Sequence, residues 1–365
     1  MALSSDHATL RARCQCEAYE FAAILPSSSL PLTAFCCHCT SCRHNLGTLA
    51  FTCAEWPDAK IDLSKLRRYV FSPNVDIFSC PTCSSQLFCL GSTTGNRPHV
   101  LTGAIQNTEK GLLRYGEHIF VGDAVDGGCS MWLRRDVDGR ILKRSVARTG
   151  TSEEIPFTWP EAKARNASEE RASPEFTPLW CRCKGVNLLL KSGTDVTWDL
   201  GEESPRYIDP RNKKYVTHID ACNSCRTVTG SDLVYWAFAG VDHLYDPSHL
   251  NQLFNTITDL EEAVDRGDKR MGTLQRYNSS PGVNRYSCAF CAATIFYTQQ
   301  DLPQQVDIAV GVLDHPSGPR AEGLLSWEYN EIDWISDTRG GWRESLCIAA
   351  LEGIKEWQSS LLQGE

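Results

Sequence analysis

The feature that most limits what this chain can fold into is a set of short cysteine blocks that occurs twice, in the same order. The first half carries "CQC" (Cys14, Cys16), then "CHCTSCRHNLG" (Cys37, Cys39, Cys42), then "CPTCSSQLF" (Cys80, Cys83). The second half carries "CRC" (Cys181, Cys183), then "DACNSCRTVTG" (Cys222, Cys225), then "CAFCAATIF" (Cys288, Cys291). The likeness runs past the cysteines: "LRRYVFSPNVDIFSC" at 66–80 parallels "LQRYNSSPGVNRYSC" at 274–288, and "VLTGAI" at 100–105 parallels "IAVGVL" at 308–313. Two copies with unequal spacers indicate a duplication, not a repeat array. The expected layout is a first zinc domain over 1–145, a linker over 146–178 and a second zinc domain over 179–365, consistent with the length of 365 residues.

Short runs of β-branched and aromatic residues bounded by Gly, Pro, Asn and Asp predict strands at "LRRYVF", "HVLTGAI", "EHIFVG", "DLVYWAFAG", "ATIFYT" and "VDIAVGVL". The insertion at 246–270 predicts a helix, with Asp246 or Ser248 as cap and Leu250, Leu253, Phe254, Ile257 and Leu260 at helical spacing. A terminal helix is expected over 343–362, where Leu346, Ala349, Ala350, Ile354 and Trp357 form one apolar stripe. The expected class is mainly β, with a few short helices and a C-terminal helix. The stretch at 145–178, rich in Glu, Ser, Thr, Ala and Pro, reads as the linker.

A net charge of −9, with no Lys/Arg-rich block, gives no footprint for nucleic acid or an anionic membrane. No run approaches the roughly 20 apolar residues of a membrane helix. The N-terminus does not read as a signal peptide, because the apolar piece at 21–25 is short and follows Glu17 and Glu20. A reducing, cytoplasmic setting is therefore expected, and there the 18 cysteines are metal ligands or catalytic thiols before they are disulfides.

Two short pairs far apart in sequence are the usual frame of a structural zinc site. Cys14, Cys16, Cys80 and Cys83 fit it in the first half, and Cys181, Cys183, Cys288 and Cys291 in the second. The alternative is that these are buried apolar cysteines. Cys37, Cys39 and Cys42 can bind one ion from a single loop, and three protein ligands with an open fourth place are the arrangement of a catalytic zinc. A fourth ligand from Cys36, His38 or His44 would instead close the site. In the second copy Asp220 stands where Cys37 stands, leaving Asp220, Cys222 and Cys225 as a harder three-ligand site, or as a loop that has lost its metal.

In order and spacing these blocks resemble the glutathione-dependent formaldehyde-activating enzyme and centromere protein V family, once in each half. The resemblance implies two tandem β-tent domains, each with a structural four-cysteine zinc, and one or two catalytic zincs, the first on Cys37, Cys39 and Cys42 and a second, where there are two, on the Asp220 loop. It also implies carbon–sulfur lyase chemistry on a glutathione-like thiol adduct of a small carbonyl or metabolite. Ser84 and Ala292 depart from the glycine that the family carries after its C-x-x-C pair, and Asp220 departs from a ligand cysteine. Arg43 and Arg226, each directly after a triple, are candidates to bind a substrate carboxylate. His38, His44 and His118 are candidates to move a proton. The competing functions are a zinc-dependent hydrolase, isomerase or dehydratase working at the Asp220 site, and a non-catalytic zinc scaffold.

Overall fold

The structure is a computed structural model that describes residues 6–91, 95–156, 159, 174–197 and 203–362. The first half begins with β1 (His7–Arg13) and β2 (Glu20–Pro26), an antiparallel hairpin. Next come β3 (Leu32–Cys37), helix α1 (Thr40–Leu46) and β4 (Phe51–Glu55). Strands β5 (Arg67–Ser72), β6 (Val75–Ser79), β7 (Gln86–Gly91), β8 (Pro98–Leu101), β9 (Leu113–Ile119) and β10 (Lys143–Arg144) follow. Eight of these make one sheet, in the order β10-β9-β3-β4-β8-β7-β6-β5.

The second half repeats this plan. A hairpin of β11 (Phe176–Trp180) and β12 (Asn187–Lys191) precedes β13 (Tyr215–Asp220), α2 (Asn223–Thr229) and β14 (Val234–Gly240). The short β15 (Leu244–Tyr245) joins the hairpin, and α3 (Ile257–Asp265) leads into β16 (Leu274–Ser280). Strands β17 (Val283–Cys288), β18 (Thr294–Gln299), β19 (Gln305–Ala309) and β20 (Leu325–Trp327) complete a seven-stranded sheet ordered β16-β17-β18-β19-β14-β13-β20. Helix α4 (Trp342–Leu362) ends the chain's described part. Apart from β10, which has no counterpart, the two orders coincide, including the parallel pairs β3–β9 and β13–β20 and a register shift at the same place in β6 and β17. The duplication inferred from the cysteine blocks is thus a duplication of topology.

Two expectations are corrected. Strand β8 ends at Leu101 and β19 at Ala309, and each chain then turns through a 3₁₀ segment, Thr102–Ala104 or Val310–Val312. The helix of the insertion starts at Ile257, not near Asp246. Thr256 caps it in a capping box with Asp259, whereas Leu250 has a φ of 53°, which no helix accommodates. Leu253 and Phe254 pack from the preceding loop instead. The terminal helix buries Leu346, Ala350, Ile354 and Trp357 as its pattern predicts, while Ala349 lies at the edge of the stripe. Of the 145–178 stretch, Ser145 bridges Glu154 and Ile155 is buried against the first half, and residues 160–173 fall outside the described part. Among the described residues no helix is long and apolar enough to cross a membrane.

The halves meet through their repeated loops, each giving the other the same contacts. Arg43 Nη1 donates to Gly311 O (3.1 Å) and Leu313 O (2.5 Å); Arg226 Nη1 donates to Gly103 O (2.7 Å) and Ile105 O (3.0 Å). Gly311 N donates to Gly47 O and Gly103 N to Gly230 O, both at 3.0 Å. Gly47 and Gly230 close α1 and α2 with φ of 85° and 78°. A Cβ at Gly47 would lie 2.4 Å from Thr294 O, and one at Gly230 would lie 2.9 Å from Gln86 O. Glycine is required there twice over, for the left-handed helix end and for the close approach of the other half.

Candidate metal centres and their pockets

Each half brings four sulfurs together where two hairpin turns meet. Cys14 and Cys16 leave the β1–β2 turn, Cys80 and Cys83 the β6–β7 turn, and all four Sγ atoms lie within 4.8 Å of one another. Cys181, Cys183, Cys288 and Cys291 form the same cluster from β11–β12 and β17–β18. The Cys14–Cys16, Cys181–Cys183 and Cys183–Cys288 sulfurs are 3.5 Å apart and the Cys16–Cys80 sulfurs 3.6 Å. A disulfide needs about 2.05 Å, whereas a zinc tetrahedron with ~2.3 Å bonds has edges of about 3.8 Å. Backbone N–H groups point at these sulfurs, Tyr19 to Cys14 and Phe290 and Cys291 to Cys288, at 3.3–3.4 Å. Such donors suit thiolate sulfur, so the donor set fits a closed structural zinc.

The turns that build these clusters need left-handed residues at Glu17, Ser84, Lys184 and Ala292, with φ of 59–61°. At Ser84 and Ala292 this conformation explains why a glycine is at home after the C-x-x-C pair. A left-handed alanine costs roughly 1–2 kcal/mol, partly offset by the unfolded-state entropy that glycine would add, about 0.4–1 kcal/mol. Ala292→Gly is therefore expected to stabilise the protein by up to about 1 kcal/mol, read as a higher midpoint in thermal melts. Ser84→Gly is expected to gain less, because Ser84 Oγ accepts a 2.7 Å bond from Gln275 across the halves.

The second kind of centre sits on the strand-to-helix loops. Cys37 ends β3, Cys39 caps α1 by accepting from Cys42 N (3.3 Å), and Cys42 follows in the first turn. Strand alternation puts Cys36 on the other face, in the main core, so it is no fourth ligand. His38 is not one either: its Nε2 is 2.8 Å from His118 Nδ1, and His118 Nε2 is 2.6 Å from Leu133 O. His44 stacks on Trp180 with ring centroids 3.3 Å apart and bonds Trp180 O. Burial holds His38 well below the ordinary histidine range, His118 at about 4 and His44 at about 2. These three histidines, candidates to move a proton, are packing groups, and none lines a pocket with the cysteines. Bonds from the Cys37 and Cys42 thiols, helped by backbone N–H groups, push Cys39 down to about 3.

Asp220, Cys222 and Cys225 repeat the triad from β13 and α2. Their ligand atoms lie within 4.8 Å of one another, with Cys222 accepting from Cys225 N at 3.2 Å. Hydrogen bonding from Cys225 is the largest influence lowering Cys222, to about 5. Both triads are grouped as a three-ligand zinc site requires, one with three sulfurs and one with an oxygen and two sulfurs.

Arg43 and Arg226, expected to hold a substrate carboxylate, do not line either pocket. Their guanidinium groups are buried between the halves on the backbone bonds described above. The residues that do reach the triads come from distant strands. A cavity of about 280 Å³ beside Cys37, Cys39 and Cys42 is walled by Phe35, Phe51, Phe71, Val75, Ile77 and Ile119. A cavity of about 370 Å³ beside Asp220, Cys222 and Cys225 has His218, Arg285, Asp307, Asp333 and Gln299 in its wall, with Trp236 and Tyr297. The register pairs these positions: His218 replaces Phe35, Arg285 replaces Ile77, Asp333 replaces Ile119 and Asp307 replaces His99. His218 Nδ1 is 2.8 Å from Asp333 Oδ2; burial opposes its charge, but that bond and the Asp333 charge raise its pKa. Burial lifts the Asp307 carboxyl to about 7. His218 had a signal in the sequence, two residues before Asp220 on a strand, and so on the same face.

No curated protein and no solved structure matches the chain. The family described as GFA, glutathione-dependent formaldehyde-activating enzyme, matches residues 9–123, which span the first four-cysteine cluster and the Cys37–Cys39–Cys42 loop. That likeness lies within the first half of the chain and stops short of its second set of cysteine blocks.

Proposed function

We propose that the chain is a zinc-dependent enzyme of the carbon–sulfur lyase type, working at Cys37, Cys39 and Cys42 on a thiol adduct, glutathione-like, of a small carbonyl. The observation that carries this reading is the convergence of three thiols, with no fourth protein ligand among the described residues, on one apolar cavity. Zinc bound there supplies a mild Lewis acid and a soft partner for substrate sulfur. The chain's own part is to hold three thiolates in place, to exclude water with Phe35, Phe51, Ile77 and Ile119, and to offer polar groups at Ser72, Asn74 and Arg148 along the same wall. The two four-cysteine clusters are structural, and the setting is cytoplasmic.

The Asp220 loop supports a second, harder activity. Its cavity is polar where the first is apolar, which favours a hydrolase, isomerase or dehydratase acting at an oxygen. His218, oriented by Asp333, is the side chain placed to move a proton there.

Full loading corresponds to one zinc for each of the four clusters. Cys39→Ser is expected to lose one ion and to lower turnover of the formaldehyde–glutathione adduct by more than about 100-fold, with the fold retained by circular dichroism. Undiminished turnover in a folded Cys39→Ser protein that has lost an ion would sink the lyase reading. Cys222→Ser, assayed in parallel, is expected to lose a different ion and leave that turnover unchanged.

A further inference from the structure

Arg285 is the residue of the second pocket that its own fold does not explain. Position 77, its counterpart in the first half, is an isoleucine, so the scaffold does not need a charge there. Arg285 is 5 % exposed, and removing a guanidinium from water demands compensation. Its Nη2 is 2.9 Å from Ser224 Oγ and 3.6 Å from Cys225 Sγ, and its Nη1 is 3.7 Å from the same sulfur. The ring of Tyr297, 4.9 Å from Arg285 Cζ, fixes the plane of the group. The Nε, buried as well, has no acceptor.

The pocket contains carboxylates, yet among the described residues none pairs with Arg285. Asp333 is bound to His218, Asp307 accepts from Gln305 (2.8 Å), Asp337 accepts from Asn223 N (2.9 Å), and Asp220 accepts from Cys222 N (2.8 Å). Each acid in the wall already has a donor, and the one buried guanidinium lacks an oxyanion. A planar, preorganised guanidinium with an unused donor is a receptor for a planar oxyanion.

We propose that the pocket beside Asp220, Cys222 and Cys225 binds a small organic carboxylate, with Arg285 as its anchor. This rests on the reading of the Asp220 loop as a working site. The first half has no buried equivalent: Ile77 stands at that position, and the arginine of its cavity wall, Arg148, is exposed.

The test is calorimetric titration of the zinc-loaded full chain with pyruvate and, as its neutral counterpart, acetone. Pyruvate is expected to bind and acetone to bind at least about 10-fold more weakly. Arg285→Ile, which copies the first half, is expected to lose pyruvate binding. Arg285→Lys keeps the charge without the fork and is expected to weaken it about 10- to 100-fold. Thermal melts and zinc content are taken on each preparation, and the lysine variant carries the test if the isoleucine variant does not fold. Unchanged pyruvate affinity in a folded, zinc-replete variant overturns the proposal, as does equal binding of the two probes or no binding of pyruvate by the wild type. If Cys222→Ser holds as much zinc as the wild type while pyruvate binding still follows Arg285, the metal reading of the loop fails and the carboxylate site stands.

Discussion

Replacing Cys288 with serine is expected to strip the second half of its structural metal and lower the melting temperature by about 10–20 °C. Cys288 is fully buried, and its sulfur is the most heavily engaged of the four. It meets Cys183 Sγ at 3.5 Å, Thr273 Oγ1 at 3.0 Å and the N–H groups of Phe290 and Cys291 at 3.4 and 3.3 Å. Bonds from the neighbouring thiols, Cys181 first, hold it well below the usual thiol range, as suits an anionic ligand. A serine oxygen is a poor zinc ligand and leaves those donors without an anion to receive them. Structural zinc contributes on the order of 10 kcal/mol to small metal-folded units. Losing even half of that in a domain of this size gives the stated shift, at about 2–4 °C per kcal/mol. The informative control is Cys347→Ser, at a cysteine equally buried in α4 but remote from any cluster. If these cysteines were merely apolar core residues, both changes would cost about the same, on the order of 1–2 kcal/mol. Equal melting shifts with unchanged zinc content would therefore remove the metal from the second half.

The four-cysteine clusters and the two triads were legible in the sequence because their ligands come in pairs and triples a few residues apart. Such spacing is a local property, readable without knowing which distant strands close the cluster. Cys36 could be set aside on strand alternation alone. The character of the pockets was not legible in the same way. Ile77 and Arg285 are interchangeable on a strand, and their difference matters only because β6 and β17 face the triads across a sheet. The insertion helix was misplaced for a related reason: Leu250, Leu253 and Phe254 have helical spacing, but Leu250 is exposed and Leu253 and Phe254 pack from a loop that ends at the capping box of Thr256 and Asp259. The place of Arg43 and Arg226 was not legible, because nothing in either motif announces that the other half will lie against it. The arginine and glycine of each C-R-x-x-x-G segment serve the contact between the halves, and that contact exists only in three dimensions.

Arg226→Ala is accordingly expected to destabilise the whole chain by about 2–4 kcal/mol and to leave substrate affinity unchanged. The guanidinium bridges Gly103 O and Ile105 O of the first half through Nη1, while Asn223 Oδ1 holds its Nε at 3.0 Å and its Nη2 at 2.7 Å. Ile105 O keeps a second donor in Arg343 (2.8 Å), so the change strands chiefly the Gly103 carbonyl, in a place without room for water to enter freely. Lysine is not expected to rescue it, because one ammonium cannot span both carbonyls and the asparagine with the same planar fork. Arg43→Ala, the counterpart in the first half, is expected to cost somewhat less, since threonine stands at position 40 where Asn223 orients Arg226, and its Nε has no partner. Urea unfolding measured beside KM separates the two roles. A substrate-binding arginine would raise KM and spare stability, and an interface arginine does the reverse. A stability change below about 0.5 kcal/mol together with a raised KM would return Arg226 to the substrate. The expected outcome, lost stability with KM intact, makes the pairing of the halves a condition for the fold of each, and explains why the loop that carries the ligand triad also carries the residue that grips its twin.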